Sequence, residues 1–211
     1  MNGFAAVITG YLLGSIPTAY LVARFRTGKD IRQIGGGNVG ALNTFREISP
    51  AAGVLVMLID MAKGALAIVL AYRVFDLSPV AVMLTGLACV IGHNWMVWLK
   101  FSGGKGMGAA LGALAVLFPL YHYPWPGLIF AALIILPLII TRNVALSMGT
   151  GLFLLPVLAW FSTRDLVTAG LAVALLVIIG LKFLPTALEA LKTSKSGKDF
   201  IFDHCKRPKN G

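Results

Sequence analysis

Apolar residues gather in seven runs, at 3–23, 51–73, 79–99, 106–121, 125–141, 143–161 and 165–184, with short polar or glycine-rich stretches between them. A helix needs roughly 20 apolar residues to cross the hydrocarbon core of a bilayer. The pattern predicts an all-α polytopic integral membrane protein with about seven transmembrane helices, the fourth to sixth being the shorter ones. Residues 1–192 are expected to form a single transmembrane helical domain, and 193–211, polar and basic, a tail resting on the membrane surface.

The breaks between runs differ in character. HYPWP at 122–126 reads as an outer turn, where Pro124 and Pro126 interrupt the helix and the aromatic rings anchor at the interface. Gly108 and Gly112 are four apart, a spacing that suits close helix packing, and the run from Asn143 to Leu184 is rich in small and aliphatic residues of the same use. The first run has no basic residue before it and is followed by Arg24 and Arg26, so it reads as a retained span rather than a cleaved signal.

Composition and charge agree with a membrane protein and add an orientation. The chain is 58% hydrophobic and 12% charged, with a mean hydropathy of +0.86, which leaves no stretch for a separate soluble domain. Of the 18 basic residues, all but Lys63, Arg73 and Arg164 lie at 24–50, 99–106, 141–143 or beyond about 182. With the N-terminus outside, those segments and the C-terminus face the cytoplasm, as the positive-inside bias requires. The net charge of +10 is then a basic face beside anionic headgroups and calls for no nucleic acid. Cys89, within a run, and Cys205, in the tail, are too few for a disulfide framework or a metal site and read as free thiols.

Candidate chemistry collects on the basic side. FSGGKGM at 101–107 places Gly103 and Gly104 where successive backbone N–H groups can form a concave anion nest, with the charge of Lys105 beside it. The segment 24–50 contains IRQIGGGNVGALNTFR, in which Gly35, Gly36, Gly37 and Asn38 offer a second nest and Arg46 a planar, bidentate partner for phosphate. Asn38 and Asn43 either fix this loop through side-chain to backbone bonds or touch a polar substrate. Asp60 and Lys63, three apart in an apolar run, share a helix face and can pair, as structural ions or as part of a site. His93 and Asn94 lie a few residues before the glycine turn, buried or in reach of a ligand.

GSIP at 14–17, IRQIGGGNVGALNTFR at 31–46, LIDMAKG at 58–64, GHNW at 92–95 and FSGGKG at 101–106 occur in that order. With this ordered set the chain resembles the bacterial acyl-phosphate-dependent glycerol-3-phosphate acyltransferases, the PlsY family. The resemblance implies a multi-pass enzyme of the bacterial inner membrane whose active site faces the cytoplasm. It implies transfer of a fatty acyl group from acyl phosphate to glycerol 3-phosphate, giving lysophosphatidate and phosphate, the first step of phospholipid synthesis. Its partners would be those two substrates and membrane lipid, with no metal or organic cofactor.

Within that reading, Arg46, Lys105 and the backbone of Gly35, Gly36, Gly37, Asn38, Gly103 and Gly104 bind phosphate. His93 and Asn43, with Arg46, position the hydroxyl or carbonyl. No dedicated base is evident, and in the family the substrate's own phosphate is thought to assist proton removal. The chain also departs from the family pattern. Gly36 stands where a serine is usual, Leu42 where a threonine is, Ser102 where a lysine is, and LKFLPTALEA where a histidine and asparagine motif is common. The competing reading is a non-catalytic paralogue that binds lipid phosphates or phosphorylated metabolites. A small transporter would carry an inverted repeat, and none is visible in the sequence.

Overall fold

The structure is a computed structural model and describes residues 2–122 and 124–193. Its helices are α1 (Asn2–Gly14), α2 (Thr18–Thr27), α3 (Ala41–Glu47), α4 (Pro50–Val69), α5 (Pro79–Asn94), α6 (Met107–Leu120), α7 (Pro124–Thr141), α8 (Val144–Thr163) and α9 (Leu166–Thr193). Four stretches are long and apolar enough to cross a membrane, at 2–27, 50–74, 146–163 and 166–188, while 79–94, 107–120 and 125–141 are apolar but shorter. Each overlaps one of the apolar runs of the sequence. The basic tail expected from the sequence lies, from residue 194 onward, outside the described residues, and Cys205 with it.

Three boundaries differ from the sequence reading. The first run is two helices, because Pro17 disfavours helical backbone at Ile16 and the chain turns at Ser15–Pro17 before α2 begins. The third run stops at Asn94 rather than 99, giving way to an irregular segment with a single 3₁₀ turn at Val97–Leu99. The segment 24–50 is not all loop: it holds the end of α2, a 3₁₀ turn at Ile31–Gln33 and the short helix α3. Ser49 then starts α4 as its N-cap, accepting the Ala52 N–H at 3.2 Å, with Pro50 preset for the first turn.

The chain divides into two compact units, Met1–Pro124 and Trp125–Gly211. In the first, helix pairs approach backbone to backbone through glycine. Gly14 of α1 lies against the Cys89 carbonyl of α5, and Gly92 of α5 against the Tyr11 carbonyl of α1. Between α4 and α6, Gly64 lies against the Ala109 carbonyl and Gly112 against that of Met61. This is the close packing that small residues permit where lipid supplies no hydrophobic drive between helices, and it gives Gly108 and Gly112 the packing role read from their spacing.

In the second unit, Phe130 and Ile134 of α7, Met148, Leu152, Leu155 and Ala159 of α8, and Leu175 and Ile179 of α9 are buried. In both units the polarity is that of a protein in lipid. Phe4, Ile139 and Phe153 are among many exposed large apolar side chains, while Asp60, Lys63, His93 and Asn94 are buried. Cys89 is a buried free thiol on α5.

A Cβ added at Gly112 would run into the Met61 backbone, whereas one at Gly170 would meet nothing within 4 Å. Gly112→Ala should therefore lower stability by about 1–3 kcal/mol, and Gly170→Ala should leave it unchanged or raise it by up to about 1 kcal/mol. Thermal unfolding in detergent reads both, and an equal response would remove the α4–α6 approach as a determinant of stability.

Candidate active site

The loop between α2 and α3 is built from the inside. Gly28 closes α2 in the left-handed conformation, its N–H donating to the Arg24 carbonyl. Asp30 then accepts the Arg32 N–H at 3.0 Å and the Arg32 guanidinium at 2.6 Å. That guanidinium also stacks 5.6 Å from the centre of the Tyr20 ring and reaches the Leu99 carbonyl at 3.5 Å, tying the loop to the segment after α5. The hydrogen bonds from Arg32 hold the Asp30 carboxyl below the usual carboxylate range.

The middle of this loop is organised by one amide. Asn43, buried on α3, donates Nδ2 hydrogens to the carbonyls of Ile34 at 3.0 Å, Asn38 at 3.1 Å and Ile31 at 3.4 Å. Its Oδ1 accepts the Gly36 N–H at 3.2 Å. Of the two roles read from the sequence, loop fixing is the one this geometry gives Asn43. Gly37 has a φ of +67° and donates its N–H to the Ile34 carbonyl, so the chain reverses there in a conformation that suits glycine. The nest expected over Gly35–Asn38 is thus partly closed: the N–H groups of Gly36 and Gly37 already have partners inside the loop.

The second segment begins where α5 ends. Tyr11 and Ser15 donate their hydroxyls to the carbonyls of Trp95 at 2.8 Å and Gly92 at 3.3 Å, fixing the last turn of α5 to α1. Met96 and Ser102 form an isolated antiparallel bridge that closes a tight knuckle, with positive φ at both Lys100 and Phe101. Gly103 follows against the His93 and Asn94 carbonyls, and the Gly104 N–H donates to the His93 carbonyl at 2.9 Å. That donor, too, is engaged within the protein rather than turned to a nest.

The two segments meet at Gly104. A Cβ there would overlap His93 Nε2 and stand 2.7 Å from the Val39 carbonyl, so only glycine lets the turn pass between the imidazole and the first loop. Lys105, half-buried, comes next. Burial pushes its ammonium below the ordinary lysine value, and the charge of Arg46 pushes it further the same way. The charge of Arg46, exposed at the end of α3, therefore acts on Lys105 although the two are 59 positions apart in sequence.

Behind this meeting point lies a buried polar cluster. Lys63 Nζ donates to Asp60 Oδ1 at 2.7 Å and to the Ile16 carbonyl at 2.6 Å. The same Asp60 oxygen lies 3.7 Å from His93 Nδ1. The helical spacing foretold the Asp60–Lys63 pair. It carried no sign of the approach of His93, which comes from a different helix. Gly36 is exposed, and a Cβ there would meet nothing within 4 Å, so the position has room for a side chain. Among the described residues, no cluster of three or more His, Cys, Asp or Glu is placed to hold a metal ion.

The chain is similar to known proteins over most of its length. The family model described as glycerol-3-phosphate acyltransferase matches residues 4–185. Glycerol-3-phosphate acyltransferase 1 of Dehalococcoides mccartyi is 49% identical over 203 residues, covering 96% of this chain and 98% of its own. Among solved structures, PlsY, an integral membrane glycerol 3-phosphate acyltransferase, superposes in its glycerol 3-phosphate form with a TM-score of 0.81 at 28% identity, over 91% of this chain and 93% of that one. Its lysophosphatidic acid form superposes with a TM-score of 0.79 at 26% identity, over 95% and 98% of the two chains. With the motif order, the helical architecture and near full-length similarity in agreement, this chain is an all-α integral membrane protein that belongs to the glycerol-3-phosphate acyltransferase family.

Proposed function

We propose that the chain transfers a fatty acyl group from acyl phosphate to glycerol 3-phosphate at the cytoplasmic face of the bacterial inner membrane. The observation that carries this reading is the meeting of the two glycine segments at Gly104, which sets Lys105 beside the first loop, where the charge of Arg46 acts on its ammonium. Two cations brought together repel each other, and an anion between them turns that repulsion into attraction. Both substrates are phosphate anions, and the positive-inside bias puts this neighbourhood on the cytoplasmic side in a seven-span topology with the N-terminus outside.

The reaction suits a site of this composition. In acyl phosphate the carbonyl carbon already carries a good leaving group. A glycerol 3-phosphate hydroxyl oxygen attacks that carbon, the bond to the phosphate oxygen breaks, and inorganic phosphate leaves with the hydroxyl proton ending on phosphate. The protein then has mainly to hold two anions in register and to stabilise developing oxyanion charge, for which Arg46 and Lys105 suffice without a metal. Gly35 through Asn38 and Gly103–Gly104 supply the backbone walls, and His93 and Asn43 hold those walls in place. The acyl chain lies in lipid, gaining about 0.8 kcal/mol per buried CH₂.

Purified protein given acyl phosphate and labelled glycerol 3-phosphate should form lysophosphatidate. Absence of product at every chain length tested, with glycerol 3-phosphate still bound, would instead favour a binding protein. Lys105→Ala should raise the KM for an anionic substrate by about tenfold or more, the loss expected for one charge-assisted contact of about 1.5–3 kcal/mol. Because the Lys105 ammonium is lowered from its ordinary value, its positive charge is present at low pH and lost as pH rises through that lowered pKa. Anion affinity should therefore weaken toward alkaline pH earlier than an ordinary lysine would allow, and Lys105→Arg, always charged, should abolish that loss. In the loop, Gly36→Ala should keep wild-type stability and KM. Gly37→Ala, forced to adopt φ +67° with its Cβ 2.9 Å from the Arg32 carbonyl, should cost about 1 kcal/mol or more in stability and raise KM, and equal behaviour of the two would discard the ordered loop as a substrate cradle.

A further inference from the structure

Asp60 and Lys63 have no part in the mechanism above, yet with His93 they form a cluster of buried ionisable side chains in the first unit. Asp60, Lys63 and His93 are 3%, 4% and 3% exposed, so none is bathed by water that would make its charge inexpensive. Pairing of Asp60 with Lys63 alone would balance the charge. The geometry holds more than that pair.

Asp60 Oδ1 faces His93 Nδ1 at 3.7 Å, beyond a hydrogen bond but close enough for the carboxylate's charge to act on the ring. A carboxylate on that side draws the ring proton to Nδ1 and fixes the ring's direction, as outer carboxylates do for working histidines. The opposite ring nitrogen, Nε2, is then turned onto Gly104, where a Cβ would overlap it. The His93 carbonyl accepts the Gly104 N–H at 2.9 Å, so ring and backbone of one residue grip the same glycine. Lys105 is the next residue. On the far side, Lys63 anchors Asp60 to the Ile16 carbonyl at the α1–α2 corner, so the carboxylate cannot swing away.

We propose that Asp60 is a positioning residue for acyl transfer: held by Lys63, it fixes the His93 ring, which seats the Gly103–Lys105 turn against the first loop and so sets where Lys105 meets the anion. The proposal rests on the acyltransferase reading for its kinetic readout and on the structure alone for its geometry. His93 acts in it through the turn and is likewise a positioning residue. The alternative is that Asp60 serves only to neutralise Lys63.

The test separates the two roles with a charge-neutral double variant. Asp60→Asn alone leaves a buried ammonium without its carboxylate and is expected to unfold readily. Asp60→Asn with Lys63→Met removes both charges and should melt near the wild-type temperature in detergent. If Asp60 positions His93, this double variant should still raise the KM for glycerol 3-phosphate by about tenfold, with a smaller change in kcat, since displacement of a binding group by about 1 Å can cost as much as a hundredfold. His93→Gln made in the double variant should then add little, because the two act in series. Wild-type KM in the folded double variant, or losses from His93→Gln that simply multiply, would overturn the proposal.

Should the double variant fail to fold, Asp60→Glu with Lys63 kept gives the second reading. The buried charges stay balanced while the longer side chain moves the carboxylate off His93 Nδ1. The KM for glycerol 3-phosphate should therefore rise about tenfold, and wild-type KM there would overturn the proposal. Failure of the acyltransferase reading would show differently, as no lysophosphatidate from the unaltered protein. In that case equilibrium binding of labelled glycerol 3-phosphate replaces KM in the same comparison.

Discussion

Asp60 and Lys63 stand on one face of α4 inside a bundle whose outer surface is apolar, and the first half of the chain is arranged around keeping those two charges satisfied. Removing either ion from water costs several kcal/mol unless a partner of good geometry is at hand. Lys63 finds two oxygens, one on Asp60 and one on the Ile16 carbonyl. That carbonyl is within reach because Pro17 stops α1 from running straight into α2, leaving Ile16 at a corner where it also accepts the Thr18 N–H at 3.0 Å. The break in the first span and the ion pair in the second are therefore one feature. Glycines on α1, α5, α4 and α6 bring those helices close enough for the cluster to include His93 from a third helix.

How much of this could be read beforehand depends on the range of the interaction. Apolar runs gave the helices, because burial in lipid demands apolar residues on every outward face. The i, i+3 spacing gave the Asp60–Lys63 pair, because a helix fixes that neighbour relation locally. The glycine strings pointed to the two segments that matter, but not to the use of their N–H groups. Gly36, Gly37 and Gly104 donate to Asn43, Ile34 and His93, and those partners depend on how α3 folds back and where α5 ends. The short helix α3 was hidden in what read as a loop because seven residues carry too little periodicity to stand out. The meeting of Val39, His93 and Gly104 joins segments more than fifty residues apart, and no single-sequence pattern encodes it.

Several backbone donors are engaged inside the protein, so on the proposed reading phosphate recognition falls more heavily on Arg46 and Lys105 than a pair of open nests would require. Long cationic side chains attract anions strongly, but each loses rotamer freedom when it settles on one. That loss is smaller when the backbone carrying the charge does not also have to be ordered. The hydrogen-bonded loop around Asn43 and the grip of His93 on Gly104 do that ordering before any ligand arrives. On the proposed reading, residues that carry no charge toward the substrate thus help determine how well the charged ones bind it. Gly36 fits the same logic: it is open to solvent, its side-chain position is vacant, and its N–H helps hold the loop closed. With no side chain at Gly36, the loop is held by its own backbone and by Asn43, so on the proposed reading it is this arrangement that carries Arg46 toward Lys105.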